Sequence, residues 1–242
     1  SNKGGRAAGA NAVGKNISFN GAYKTAIVKV FKYTMARTGM NPTFMSKMGI
    51  EYDSVLSISG ATPSYYPDQT DLISEIYFDP TTNKILGGEF FGEVGVDKRV
   101  DVLSTAIYAG LKLNDLSQID LAYAPPFSPA KDPIVVSGFI GENSIEGKTN
   151  QITVEQLQQL INDKTLLNYQ FIDVRDVVEF DRGTINEAKN LPLHELRSAL
   201  DNLDKSQEII LFCQKGMRGY LAERILTQNN FKVRNLSGGY KL

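Results

Sequence analysis

Phe212-Cys213-Gln214-Lys215-Gly216-Met217-Arg218-Gly219 lies between an apolar run, Glu208-Ile209-Ile210-Leu211-Phe212, and a helix-forming segment, Tyr220-Leu221-Ala222-Glu223-Arg224-Ile225-Leu226. The order strand, Cys-led loop, helix aims loop amides and a helix N-terminus at one sulfur. Such a setting favours a nucleophilic thiolate and holds an anionic sulfur or an oxyanion. Gly216 and Gly219 permit backbone angles that other residues resist. Lys215 and Arg218 add positive charge, and Arg218 can fork onto two oxygens of a bound oxyanion. A loop at a strand end lies where open α/β sheets bind ligands. Cys213 is the one cysteine of the chain. Lone cysteines are most often small buried hydrophobes, but a merely buried one needs neither the glycines nor the arginine.

Around this loop the C-terminal part reads as α/β. Thr153 is an N-cap candidate for a helix carrying Val154, Leu157, Leu160 and Ile161 at helical spacing. Phe171-Ile172-Asp173-Val174 and Ile209–Phe212 are short strands of the fully buried type. Helices flank both, which implies a parallel sheet.

The N-terminal part has a different grammar. Residues 1–14 are small and Gly/Ala-rich, like the tail of a helix whose partners lie elsewhere. Ala26, Ile27, Val30, Phe31 and Met35 predict a helix over 23–37. Three strands are expected at Asp53–Ser59, Leu72–Phe78 and Lys84–Phe91, the last two joined by a turn at Asp79-Pro80-Thr81-Thr82-Asn83. An amphipathic helix follows over Asp97–Leu111. The layout is α+β with an antiparallel sheet. The polar, Gly-bearing residues 138–150 read as connecting chain. We therefore expect a first domain over 1–143, a linker at 144–150 and a second domain over 151–242.

Bulk properties narrow the function. The chain has 242 residues, 42% hydrophobic and 22% charged, with a net charge of -1, a balance that gives no electrostatic case for nucleic acid or an anionic membrane. Its short basic pairs, Lys3 with Arg6 and Lys98 with Arg99, are expected to be solvated. No apolar run approaches the roughly 20 residues that span a bilayer. A single cysteine cannot form an intrachain disulfide, which fits a reducing cytoplasm. No His, Cys, Asp and Glu cluster has metal-site spacing, and His194 is expected at a cap or on the surface. The chain begins Ser1-Asn2 rather than with Met, so we expect the natural protein to extend further N-terminally.

The Cys213 segment resembles the active-site loop of the rhodanese family of sulfurtransferases. Ile172-Asp173-Val174-Arg175-Asp176-Val177-Val178-Glu179-Phe180 resembles the first family signature. Gly183-Thr184-Ile185-Asn186-Glu187-Ala188-Lys189-Asn190-Leu191-Pro192 resembles the second, and Asn235-Leu236-Ser237-Gly238-Gly239-Tyr240 the closing one. Thr184 stands where the family often has His, and Glu187 where it often has Gly. The resemblance implies sulfur transfer through a persulfide on Cys213, with sulfane-sulfur donors and thiol acceptors as partners. Amides of Gln214, Lys215, Gly216, Met217 and Arg218 would hold the outer sulfur, and Lys215 and Arg218 would orient an anionic donor. Asp173, Arg175 and Glu179 are expected to brace the loop rather than react. Phosphatase chemistry is the competitor on this fold. Phosphatases with a related loop place their arginine one position later, where this chain has Gly219, and the tighter loop suits a sulfur better than a phosphate.

Residues 1–135 resemble the dimerisation domain of flavin-dependent pyridine nucleotide-disulfide oxidoreductases, in particular coenzyme A-disulfide reductases fused to rhodanese domains. The matching stretches are Asn2-Lys3-Gly4-Gly5-Arg6-Ala7-Ala8, Ile27-Val28-Lys29-Val30-Phe31, Tyr65-Tyr66-Pro67, Asp97-Lys98-Arg99-Val100-Asp101-Val102-Leu103-Ser104 and Tyr123-Ala124-Pro125-Pro126-Phe127-Ser128. That family needs Gly-rich dinucleotide fingerprints, and this chain has no G-x-G-x-x-G. We expect a C-terminal part of a longer reductase, with residues 1–20 as a remnant of its flavin domain and no cofactor of its own. FAD, NAD(P)H and coenzyme A are implied for the parent, and a homodimer for the assembly. By the same resemblance Tyr65 and Tyr123 would face the partner subunit's flavin and substrate sulfur, and Lys131 would meet coenzyme A phosphates. Simple loop packing is the other reading of both tyrosine motifs. Two functions remain: a Cys213 sulfurtransferase, or a non-catalytic dimerisation module that recognises a sulfur carrier.

Overall fold

The computed structural model describes residues 2–242. Helix α1 (Asn2–Ala12) precedes an antiparallel sheet of five strands: β1 (Ala26–Val30), β2 (Tyr33–Gly39), β3 (Asp53–Gly60), β4 (Asp71–Phe78) and β5 (Ile85–Gly92). Their order across the sheet is β1-β2-β5-β4-β3. A short helix, α2 (Pro42–Met48), joins β2 to β3, with Asn41 accepting from the Phe44 amide as its cap. Two longer helices, α3 (Val96–Ala109) and α4 (Pro133–Ile145), cover the sheet; α3 lies on β2 and β5, and α4 on β3. Leu72, Ile76, Phe90, Val100, Leu103 and Ile134 fill the space between sheet and helices.

The turn chemistry at 79–83 works as its composition implies. The Asp79 carboxylate accepts from the Thr81 and Thr82 amides, both at 2.8 Å, and Asn83 takes the left-handed conformation at φ 61°.

Three expectations fail in this part. Residues 23–37 form no helix; β1 and β2 make a hairpin that turns at Phe31. The apolar spacing fits either period over so short a run. Pairing of β2 with β5 decides the outcome, burying Ala36 and Thr38 on alternate positions. Residues 138–145 are helical rather than linking chain. Gly138 marks close packing there: a Cβ on it would lie 2.4 Å from the Ser117 nitrogen. Arg99 is not solvated. It is buried and forks onto Asp132, with Nε to Oδ1 at 3.1 Å and Nη2 to Oδ2 at 2.8 Å. Asp132 also caps α4 by accepting from the Ile134 amide, so one ion pair fastens α3 to the start of α4.

The remaining residues form β6 (Gln151–Ile152), α5 (Val154–Asn162), β7 (Gln170–Asp173), α6 (Val177–Asp181), β8 (Lys189–Asn190), β9 (Ile209–Phe212), α7 (Met217–Gln228) and β10 (Val233–Leu236). The strands make a parallel sheet in the order β6-β10-β9-β7-β8. Thr153 and Gln156 cap α5 reciprocally. Central strand β9 is buried on both faces, and its side chains alternate between two cores. Ile209, Leu211 and Cys213 pack with Ala222 and Leu226 of α7. Ile210 and Phe212 pack with Leu157 of α5 and Phe171 of β7. Each such side chain withdrawn from water contributes about 1.5–3 kcal/mol. The chain is thus an α+β domain followed by an α/β domain, and no helix among the described residues is long and apolar enough to cross a membrane.

Candidate active site

Cys213 directly follows β9, the innermost strand of the parallel sheet, and is only 2% exposed. Its sulfur accepts a hydrogen bond from the Gly216 amide at 3.1 Å. The loop can fold back this far because Gly216 sits at φ 110°, ψ -30°, a conformation L side chains resist. Helix α7 begins at the next residue with no side-chain cap, which leaves first-turn amides for whatever the loop holds. Gly219 serves another purpose than backbone freedom. A Cβ there would lie 2.2 Å from the Asn235 side-chain oxygen, so its glycine lets α7 lie against β10. The closing signature seals the other side: the Tyr240 amide donates to the Cys213 carbonyl at 2.8 Å, and that of Lys241 to Gln214 at 3.2 Å.

Arg175 ties these parts together. Its guanidinium is fully buried and pairs with Asp173, Nη2 to Oδ2 at 2.7 Å. Nη1 donates to the Gln214 side chain at 3.1 Å and Nη2 to the Gly183 carbonyl at 2.8 Å. The guanidinium also lies over the Tyr240 ring, 4.1 Å from its centre. Asp173 accepts further bonds from its neighbours, including the Thr184 hydroxyl at 2.8 Å. Thr184, one departure from the rhodanese pattern, therefore satisfies a buried carboxylate. Glu187, the other, holds φ 73°, where a glycine would rest without strain.

The two cations of the loop are already engaged. Arg218 forks onto Glu179 at 2.6 and 2.7 Å and reaches Asp176 at 3.3 Å. Lys215 donates to Asp71 of β4 at 2.7 Å. Both side chains are paired with carboxylates in this arrangement. His194 stays on the surface, 3.8 Å from Asp176. Among the described residues no three His, Cys, Asp or Glu side chains could hold a metal ion.

The Glu179–Arg218 pair gives a pH-dependent contribution. The bond from Arg218 holds the Glu179 carboxyl below its ordinary value of 4.5. The unfolded chain therefore takes up its proton first as pH falls, so this stabilisation is present above the ordinary value and lost below it. We expect Glu179→Gln to cost about 1 kcal/mol at pH 7 for this part-exposed fork. The gap between variant and wild-type denaturation midpoints should be steady from pH 7 to 6 and close as the pH drops towards 3. A gap that persists undiminished in acid would rule the pair out as its source.

A cavity of about 430 Å³ lies between the two domains, beside the loop. Its wall takes Ser57 and Ser59 from β3, Phe139 from α4, Lys131, and Lys215 and Gly216 from the sulfur loop. Lys131 and the Cys213 loop, assigned to separate chemistries from sequence, thus share one recess. Tyr65 and Tyr123 are both exposed. They are neighbours: the Tyr123 phenol, with a smaller effect of burial, raises the pKa of the Tyr65 phenol above its usual range. Asp71 was not foreseen as part of the site, and no local pattern around it could have marked it.

The chain joins an α+β domain to an α/β domain that presents a cysteine in a closed strand-end loop. Residues 25–133 match the pyridine nucleotide-disulphide oxidoreductase dimerisation domain, and residues 153–242 match the rhodanese-like domain. The fold superposes on reduced Bacillus anthracis CoADR-RHD with a TM-score of 0.89 and 35% identity, over 97% of this chain and 41% of that one. It superposes on an NAD-dependent persulfide reductase from A. fulgidus with a TM-score of 0.87 and 35% identity, over 98% and 42%. Coenzyme A disulfide reductase of Staphylococcus haemolyticus is 38% identical over 125 residues, 52% of this chain and 28% of that protein. The chain is homologous to the coenzyme A disulfide and persulfide reductases that carry a rhodanese domain, and it spans less than half the length of these relatives. Flavin and nicotinamide chemistry belongs to those families, and among the described residues no strand–helix turn carries the glycine pattern that would seat a dinucleotide.

Proposed function

We propose that this chain transfers sulfur through a persulfide on Cys213. The single observation that carries the reading is the Cys213 sulfur, held at the end of the central strand with the Gly216 amide 3.1 Å away. In the first step the Cys213 thiolate attacks the outer sulfur of a donor. With thiosulfate, a new S–S bond forms, the donor S–S bond breaks, and sulfite leaves with the electron pair. In the second step an acceptor thiolate or cyanide attacks the outer sulfur of the persulfide and the Cys213 thiolate departs. No proton transfer is required if the thiolate is present at the start. Loop amides of residues 214–218 stabilise the outer sulfur, and Arg175 fixes Gln214 within that loop.

In the complete protein, we propose, the sulfur reaches a flavin reductase acting on persulfides or coenzyme A disulfides, as the names of the relatives suggest. Lys131 would neutralise a coenzyme A phosphate beside the loop, and Tyr65 with Tyr123 would serve the partner subunit's reducing centre. The exposed apolar side chains of the β1–β2 hairpin, Ile27, Val28, Val30 and Phe31, support a homodimer or contact with a flavin domain.

Intact-mass measurement tests the central step. After incubation with thiosulfate and removal of the donor, the chain should gain one sulfur atom, located on Cys213 and removed by cyanide. A chain that stays at its original mass would leave the other reading, a non-catalytic module that recognises a sulfur carrier.

A further inference from the structure

Asp71 opens β4 in the dimerisation domain, yet its carboxylate belongs electrostatically to the other domain. Its Oδ1 accepts from Lys215 of the sulfur loop at 2.7 Å, and its Oδ2 from Lys241. The side chain is only 12% exposed. Burial alone would raise its pKa, but the two lysines outweigh that and hold it below the ordinary carboxylate value. Every cation on the loop and its supports meets a carboxylate in the same way: Arg175 on Asp173, Arg218 on Glu179 and Asp176, Lys215 and Lys241 on Asp71. A loop so compensated offers little net attraction to a small dianion.

Resting on the sulfur-transfer reading, we propose that Asp71 is a specificity-determining positioning residue. By holding Lys215 from across the domain boundary, it withdraws positive charge from the Cys213 loop. The site is thereby biased away from thiosulfate and towards persulfides of uncharged thiols. Thiosulfate carries its second negative charge on the sulfonate that must approach the loop, whereas an alkyl persulfide brings charge only on its terminal sulfur. The same bond makes the bias depend on docking of the two domains, because Lys215 is released whenever they separate.

The test compares thiosulfate with 2-hydroxyethyl persulfide as donors, with cyanide as the common acceptor. Asp71→Asn should raise kcat/KM for thiosulfate about fivefold, the effect of freeing the one partly exposed cation it holds on the Cys213 loop, Lys215. The gain should shrink at high salt, and turnover of the persulfide should stay within about twofold. In a Lys215→Gln background, Asp71→Asn should give no gain, because the cation it would release is gone. Lys241→Gln loosens the same clamp but leaves Lys215 paired, so it should not raise thiosulfate turnover. The proposal is overturned if Asp71→Asn alters both donors alike, if its effect survives in the Lys215→Gln background, or if Lys241→Gln reproduces it. Turnover retained by Cys213→Ala would instead sink the underlying sulfur-transfer reading, whatever Asp71 does.

Discussion

Cys213→Ala is expected to lower thiosulfate:cyanide sulfur transfer by about 10³-fold or more, the scale of losing a covalent nucleophile. The chain contains no second cysteine, so no neighbouring thiol can take over the persulfide. His194 lies on the surface and is not placed to substitute. Folding should survive the change. Cys213 packs as a small apolar group among Leu211, Ala222 and Leu226, and alanine removes one buried atom from that contact, at about 1 kcal/mol. Alanine is the better probe than serine, because a hydroxyl in the same place is more strongly solvated than the thiol and brings its own hydrogen-bonding demand. Kinetics and a melting curve on the same preparation separate the effects: the rate should collapse while the transition shifts by only a few degrees. Wild-type turnover in the alanine variant would remove Cys213 from the chemistry, and a collapsed transition would mean that the loss of rate says nothing about catalysis.

The parts legible in the sequence are those specified locally. Strand β9 is an unbroken apolar run, the turn at 79–83 carries an aspartate that binds its own following amides, and Thr153 with Gln156 forms a reciprocal cap; each needs only neighbours within a few residues. Elsewhere non-local pairing overrides the local pattern. Ala26–Val30 takes its state from β2, which in turn is fixed by β5. Arg99 looked like part of a solvated pair because Asp132 is 33 residues away. Gly138 read as a linker residue, although its smallness serves contact with Ser117. Within the site the same division holds. Cys213, the flanking strand and the helix start stand together in the chain, so one local pattern marks all three. The partner that holds Lys215 is 144 residues distant and in another domain, and nothing in the composition of β4 distinguishes Asp71 from an ordinary strand-edge carboxylate.

Arg175→Met is expected to destabilise the rhodanese-like domain by about 3–5 kcal/mol, the range for breaking a buried ion pair from one side. The cost comes chiefly from what is left behind. Asp173 is fully buried, and without the guanidinium its charge keeps only the Arg175 backbone amide and the Thr184 hydroxyl as hydrogen-bond partners. Methionine fills much of the arginine stem volume, so cavity formation is a minor part of the loss. For a domain of this size, even 3 kcal/mol corresponds to about 12–24 °C in its melting transition. Because unfolding of two domains need not be a single step, the relevant signal is the transition in which the Tyr240 environment changes. Tyr240 stacks beneath the Arg175 guanidinium, and the dimerisation domain, fastened by its own Arg99–Asp132 pair, should melt where it did before. Asp173→Asn should cost a similar amount by stranding the arginine. The double variant should be far less damaging than the two losses added together, because neither charge then remains without its partner. Activity should fall in Arg175→Met even below its melting transition, since Gln214 loses the bond that fixes it beside Cys213. Single variants within about 1 kcal/mol of wild type, or strictly additive losses in the double variant, would show that the pair does not brace the sulfur loop.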